Sequence, residues 1–176
     1  SSMATMGTSR VNYHFSNLCG TVYRQGTLVY SPDGNTLYSA VGNRVACFDL
    51  VRARSFTFPF EARRNIAHLA LSPDGVILLT VDDEGHLLMA NVVRRVVVHH
   101  LNLMHKVGAV RFSPDAKVLA AGGYDMALTL YETSGDYTLL QKIKYTPLGG
   151  PAFIWSLDWA TDGSRLALGC WNTHTY

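Results

Sequence analysis

A turn phrase of four residues recurs along this 176-residue chain and limits the folds open to it more than any other feature. In Ser-Pro-Asp-Gly, Pro presets φ for a turn and Gly supplies a positive φ. The phrase occurs, with looser third and fourth copies, at 31–34, 72–75, 113–116 and 160–163. The copies start 41, 41 and 47 residues apart, at positions 31, 72, 113 and 160. A period near forty, built on short strands, is typical of β-propeller blades.

Each repeat divides into four short strands. An apolar strand leads into the phrase, a second follows it, a tight turn leads to the third, and an outer strand completes the unit. The first unit shows alternation, since Phe56 and Phe58 face one side of their strand. No helical period lies between the strands, which argues against an α/β fold. The predicted strands are 27–30, 36–41, 44–49, 55–58, 67–71, 77–81, 87–91, 96–101, 109–112, 118–122, 128–132, 139–144, 154–159 and 165–170.

The third strand of each unit ends where WD repeats carry Trp-Asp, here as Phe48-Asp49, Ala90-Asn91 and Tyr131-Glu132. We therefore predict an all-β fold, a partial β-propeller of the WD40 type. It has about three complete four-stranded blades plus part of a fourth and is truncated before ring closure, because propellers typically have four to eight blades. Residues 1–10 are expected to be a cloning remnant or a disordered leader. Residues 11–176 are expected to form the N-terminal part of the propeller.

A cut propeller leaves the apolar faces of its terminal blades uncovered, so we expect this chain to self-associate. The formal net charge of +2 is too small to indicate a nucleic-acid partner by itself. No apolar run approaches the length of a membrane helix, so no membrane partner is expected. The cysteines at 19, 47 and 170 fit no zinc spacing and are predicted to be reduced, buried thiols.

The residues that look chemically active are better explained by structure. His99 and His100 are adjacent on a predicted strand and point to opposite faces, so they cannot easily bind one metal ion together. Near them and His105, no cysteine or carboxylate lies at the spacing of a metal ligand. The acidic run 82–84 falls on a predicted hairpin turn, and the phrase serines belong to turns with no base beside them. We expect no catalytic residue, no cofactor and no metal site.

Four arginines and the tryptophans leave more than one interpretation open. Arg63, Arg64, Arg94 and Arg95 stand in pairs at predicted loops, where they could contact RNA or protein or remain solvated. Trp155 and Trp159 are four apart in one strand and should share a face. We expect them to pack in the blade core, with nucleobase stacking as the alternative.

Residues 15–24, Phe-Ser-Asn-Leu-Cys-Gly-Thr-Val-Tyr-Arg, are more specific than the repeat requires. Together with Gly42-Asn43-Arg44-Val45 and Phe48-Asp49-Leu50, they resemble the amino-terminal part of the periodic tryptophan protein two family of eukaryotic WD-repeat proteins. The resemblance covers about residues 11–176 and is concentrated in 15–68.

The resemblance implies a non-enzymatic scaffold of the small-subunit processome. Its partners would be other UTP-B and processome proteins, with precursor 18S ribosomal RNA and the U3 small nucleolar RNA as further contacts. The implied location is the nucleolus, within the nucleus. The alternative is a WD40 adaptor of an unrelated pathway that binds a short peptide motif in the central channel.

Overall fold

The computed structural model describes residues 27–144 and 152–172. Within these ranges the chain forms fourteen strands and no helix. No helix long and apolar enough to cross a membrane is found there. The strands are β1 Leu28–Tyr30, β2 Thr36–Val41, β3 Arg44–Asp49, β4 Arg54–Thr57, β5 Ile66–Leu71, β6 Ile77–Asp82, β7 His86–Asn91, β8 Val96–Asn102, β9 Val107–Phe112, β10 Val118–Gly123, β11 Ala127–Glu132, β12 Leu139–Lys144, β13 Ala152–Trp159 and β14 Leu166–Asn172.

The strands form antiparallel sheets in which each strand pairs with its neighbour in sequence. Strands β1–β4, β5–β8 and β9–β12 make three four-stranded blades, and β13 pairs with β14. The first strands of successive blades lie side by side, with β5 beside β9 and β9 beside β13. The prediction of an all-β, unclosed propeller with three complete blades and part of a fourth is confirmed. The expected leader at 1–10 and the segment 15–24 lie outside the described residues.

The recurring phrase forms the turn between the first and second strand of each blade. In the first copy the Ser31 hydroxyl donates to Asp33 Oδ1 at 2.5 Å and accepts from the Thr36 amide at 2.9 Å. The second and third copies repeat both bonds, from Ser72 and Ser113. These serines therefore hold turns together.

The fourth copy begins with Ala160, which has no hydroxyl, and reaches the same turn by a different route. The hydroxyl of Ser164 donates to Asp162 Oδ1 at 2.8 Å, and its amide donates to the same oxygen at 3.0 Å. The Gly163 amide donates to the Ala160 carbonyl at 2.9 Å. The turn thus survives the loss of the leading serine because a later hydroxyl satisfies the carboxylate.

The blades stack face to face with an apolar core between each pair. Leu78 belongs to the core between the first and second blades, whereas Leu79 belongs to the core between the second and third. Both are fully buried. Adjacent strand residues point to opposite faces, so a strand of a central blade must be apolar on both sides. The third core, between the third and fourth blades, includes Ala120, Ile154 and Leu157.

Strand direction gives every blade two distinct ends. The phrase turns and the turns between third and fourth strands lie at one end, called here the phrase end. The turns between second and third strands and the connections between blades lie at the other, called the connection end. Two side chains already link neighbouring blades: Thr27 Oγ1 accepts from the Leu69 amide at 2.6 Å, and His68 Nε2 lies 3.0 Å from the Val107 carbonyl oxygen.

Of the three cysteines, Cys47 is buried in the first core, as predicted. Burial raises the pKa of its thiol to about 11. The prediction is wrong for Cys170, which is exposed on β14, and Cys19 lies outside the described residues.

Candidate interaction surface at the connection end

The four arginines singled out from the sequence do not form one surface. Arg63 and Arg64 lie in the connection between β4 and β5, at the connection end. Arg94 and Arg95 lie in the turn between β7 and β8, at the phrase end. Because the strands between the two pairs run the length of the blade, the pairs stand at opposite ends of it.

Three of these arginines contact side chains of their own chain. The Arg95 guanidinium lies 3.8 Å from the Phe56 ring centroid, a cation–π contact between the first two blades. Arg64 Nε lies 3.2 Å from Glu84 Oε1 in an exposed ion pair. Arg63 Nη1 lies 3.5 Å from His86 Nε2. Their role in RNA or protein contact stays a prediction.

The acidic run 82–84 forms the hairpin turn that the sequence predicts. The buried Asp82 carboxylate accepts from the amides of Glu84 and His86 at 2.9 Å, and its Oδ2 lies 3.0 Å from His86 Nδ1. His99 and His100 do face opposite sides, with His99 stacked on Tyr137. Within the described ranges, no three His, Cys, Asp or Glu side chains are placed to hold a metal ion.

The equivalent turn of the third blade contains an ionic contact that the sequence analysis missed. Asp125 Oδ2 lies 3.2 Å from His105 Nε2 and 2.7 Å from Lys142 Nζ. His105 precedes the inner strand β9, and Lys142 lies on the outer strand β12. The carboxylate therefore ties the innermost and outermost parts of the blade together. The sequence signal that could have indicated this contact is His105 just before the inner strand β9, together with Asp125 in the turn between β10 and β11.

Trp155 does not pack in the blade core, so that prediction is wrong. The β13–β14 pairing passes from Ile154 opposite Cys170 directly to Ser156 opposite Gly169, which leaves Trp155 as the extra residue of a β-bulge. A bulge breaks strict alternation and redirects the side chain. Trp155 is 55% exposed, whereas Trp159 is half-buried against the third core.

Two glycines make room for this bulge. A Cβ atom at Gly169 would overlap the Ser156 hydroxyl across the strand pair. A Cβ atom at Gly108 would overlap the carbonyl oxygen of Ile154 on the neighbouring blade. The backbone of β13 therefore approaches β9 more closely than a side chain at Gly108 would allow, whereas the atom close to Gly169 is a side-chain hydroxyl.

Around the bulge lies an aromatic group made up of Tyr124, Phe153, Trp155 and Trp171. The Tyr124 ring centroid is 5.0 Å from that of Phe153 and 6.3 Å from that of Trp155. Trp155 meets Trp171 edge to face at 6.1 Å and 75°. Trp171 is 61% exposed. Two large indole rings thus present apolar surface to solvent.

A cleft of about 440 Å³ runs beside the aromatic group along the inner strands β5, β9 and β13. Its charged lining residues are Lys106 and Arg111, both exposed. Lys106 Nζ lies 5.0 Å from the Tyr124 ring centroid, and Arg111 Nη1 donates to the Val110 carbonyl at 2.9 Å. His68 also lines the cleft, and burial lowers its pKa, which favours the neutral ring. No carboxylate is found among the described residues that line the cleft.

Comparison with known proteins agrees with this architecture. Residues 95–132 match the family model for the WD domain, G-beta repeat. That match runs from the start of the outer strand β8 to the end of β11, so one sequence repeat joins the last strand of one blade to three strands of the next. The stacked four-stranded blades and the matched repeat define a WD-repeat β-propeller protein.

The particular family follows from longer similarities. The chain is 40% identical over 160 residues to periodic tryptophan protein 2 of Saccharomyces cerevisiae, a match that covers 89% of the chain and 17% of that relative. It is 45% identical over 162 residues to the Arabidopsis thaliana protein of the same name, with 90% and 18% covered. The chain is 37% identical over 169 residues to the mouse homologue, a match that covers 93% of the chain and 18% of that relative. The chain belongs to the periodic tryptophan protein 2 family, and it spans less than a fifth of the length of these relatives.

Proposed function

We propose that this chain is part of a non-enzymatic scaffold of the small-subunit processome, within the UTP-B subcomplex. It would act with the U3 small nucleolar ribonucleoprotein in processing precursor 18S ribosomal RNA, and so in ribosome biogenesis. The observation that carries the proposal is the similarity to periodic tryptophan protein 2. This similarity extends over 89% to 93% of the chain in the relatives from Saccharomyces cerevisiae, Arabidopsis thaliana and mouse.

The side chains that look chemically active hold local turns together, and this supports a docking role. The serine hydroxyls of the phrases bond to the aspartates of the same turns. The buried Asp82 carboxylate caps its own hairpin. A propeller of this kind offers surfaces at its two ends and along its blade edges, and fold alone does not supply a reaction.

The proposed partners are other UTP-B and processome proteins, and the proposed location is the nucleolus. Precursor ribosomal RNA or U3 RNA would be met by Arg63 and Arg64 at the connection end, or by Arg94 and Arg95 at the phrase end. The two pairs would act as separate contacts, because the length of a blade lies between them. Neither a cofactor nor a membrane has a place in this proposal.

The isolated chain is also proposed to self-associate through its outermost blades. Leu28, Tyr30 and Val41 of the first blade are 46% to 60% exposed. Apolar surface of this kind favours association. Sedimentation of the chain should show a dimer or a larger assembly, and a monomer at all concentrations would contradict the idea.

A second function is supported by the cleft beside Trp155. A propeller adaptor that reads one short peptide would need an apolar groove with a few placed charges, and Tyr124, Trp155 and Lys106 supply both. Under this proposal the chain would serve a pathway unrelated to ribosomes.

Affinity purification of the full-length protein that contains this sequence distinguishes the two functions. The scaffold proposal expects U3 RNA and many processome proteins in the eluate, together with nucleolar staining of the tagged protein. One or two client proteins without U3 RNA would favour the adaptor. An unrelated nucleolar WD-repeat protein, tagged in the same way, serves as the control for non-specific recovery.

A further inference from the structure

We propose that the cleft beside Trp155 binds an acidic protein segment that carries a phenylalanine or leucine between its carboxylates. The apolar side chain would pack on Trp155 and Trp171, and the carboxylates would reach Lys106 and Arg111. This inference deepens the scaffold function by naming the chemistry of a partner, and it rests on the docking role of the blades.

The first support is that the exposure of Trp155 is built into the backbone. An unbulged β13 would continue its alternation, and the indole would not be turned out of the strand pair. At Gly108 the Ile154 carbonyl oxygen lies where a Cβ atom would stand, so the bulged path of β13 is compatible with glycine there and not with a side chain. A large aromatic ring held out at a bulge, beside a cleft, has the character of an interface anchor, since Trp and Tyr dominate binding hot spots.

The second support is the sign of the charge. Lys106 and Arg111 face the cleft without a carboxylate among its described lining residues. The Lys106 ammonium lies over the Tyr124 ring, which positions the charge beside the aromatic group. A partner that brought its own cations would be repelled here, whereas carboxylates would be attracted.

The arrangement favours a protein segment over single-stranded RNA. Sequence-tolerant RNA binding uses ring faces on which successive bases stack, together with a basic groove that follows the phosphates. Here the rings meet at 59° and 75°, so Tyr124, Trp155 and Trp171 form an angular wall rather than a series of parallel platforms. Two cations are also few for a phosphate backbone.

A peptide array tests the proposal directly on the purified chain. The array varies the spacing between one phenylalanine or leucine and one to three flanking acidic residues. Each peptide is paired with a counterpart in which lysine replaces the acidic residues, and a dye-labelled oligouridylate is measured in parallel. We expect at least one acidic peptide to bind, and the fluorescence of the exposed indoles to change on binding.

Two cleft variants and two matched controls locate the site. Trp155→Ala should weaken the best peptide about tenfold or more, and Lys106→Glu should weaken it about tenfold. Val93→Ala removes apolar surface that is 82% exposed in the β7–β8 turn. Lys117→Glu makes the same charge change in the same blade at the phrase end. Both controls should bind like the unchanged chain, and thermal unfolding verifies that all four variants fold.

Three results would overturn the proposal. The first is an array on which no acidic peptide exceeds its lysine counterpart. The second is tighter binding of oligouridylate, lost in Trp155→Ala, which would assign the cleft to RNA. The third is peptide binding that disappears in the full-length protein, which would mean that its other segments occupy the cleft. Failure of the array leaves the recovery of U3 RNA unaffected, so the two proposals can fail separately.

Discussion

The third phrase turn carries a backbone strain that the first two avoid. Ala116 has a φ of 60°, where the equivalent Gly34 and Gly75 have 72° and 73°. Its amide donates to the Ser113 carbonyl at 2.9 Å, as the amides of Gly34 and Gly75 do to Ser31 and Ser72 at 2.9 and 2.8 Å. The turn is therefore the same in all three blades, and only the third forces an L residue into the left-handed region.

This difference predicts that Ala116→Gly stabilises the chain. The left-handed conformation costs an L residue about 1–2 kcal/mol, and glycine removes this cost. Glycine also raises the conformational entropy of the unfolded chain, which offsets about 0.4–1 kcal/mol of the gain. The net gain is then about 0.5–1 kcal/mol. Gly34→Ala should destabilise by a similar amount, because a Cβ atom there meets nothing within 4 Å and only the backbone is affected. Gly75→Ala should cost more, since its Cβ atom would lie 3.1 Å from Pro32 Cδ of the neighbouring blade.

Equilibrium unfolding in urea, followed by circular dichroism, measures these three variants against the unchanged chain. A shift of 1 kcal/mol corresponds to about 2–4 °C in the midpoint of thermal unfolding for a chain of this size. The expected order of stability is Ala116→Gly, the unchanged chain, Gly34→Ala and Gly75→Ala. A destabilised Ala116→Gly, or a neutral Gly34→Ala, would refute the argument from φ.

Further predictions concern the bulge, the blade contact and the phrase aspartates. Ile154→Ala should lower the free energy of unfolding by about 2–5 kcal/mol because the side chain is fully buried. Trp155→Ala should change it by less than about 1 kcal/mol. Equal losses in urea unfolding would show that the indole belongs to the core. Gly108→Ala should lower the free energy of unfolding by about 1–3 kcal/mol or more, because the Ile154 carbonyl is backbone and must move away. In the matched Gly135→Ala no atom lies within 4 Å of the new Cβ atom, so only the strain of its φ of 76° should lower the free energy of unfolding. Similar losses in the two variants would exclude the close approach. The serine hydroxyls, followed by backbone amides, hold the pKa of Asp33, Asp74 and Asp115 below the ordinary carboxyl value. The stability they confer is therefore present above the unfolded pKa of about 3.9 and lost as pH falls through the lower folded values; Ser72→Ala should raise the pKa of Asp74 in a carbon-detected NMR titration, and an unchanged pKa would contradict the role of the hydroxyl.

The blade strands could be read from the sequence because their determinants are local. The bounds of β2, β3 and β12 agree with the predicted ranges to the residue, and the other strands differ by one or two residues at one or both ends. The phrase turns punctuate the chain through Pro, Gly and a Ser–Asp hydrogen bond that spans only two residues. The hairpin turn at Gly42 and the turn after Asp82 follow from the same short-range chemistry.

The candidate surface could not be read in the same way. The path of β13 that redirects Trp155 includes a close backbone approach to Gly108, which lies in another blade. Periodicity assigns a side chain to a face on the assumption that the pairing register is unbroken, and a bulge removes that assumption. The Asp125 contact likewise joins His105, just before the inner strand β9, to Lys142 on the outer strand β12.

What the sequence alone determined is the repeating unit: four short strands, the position of each turn, and a both-sided apolar pattern that requires blades to stack. These properties depend on residues that are neighbours along the chain or on one strand. Only the tertiary structure decided that the arginine pairs stand at opposite blade ends and that Trp155 faces a basic cleft. Both depend on how blades approach one another, and a close approach is set by pairs of backbones whose contact leaves no periodic trace in the sequence.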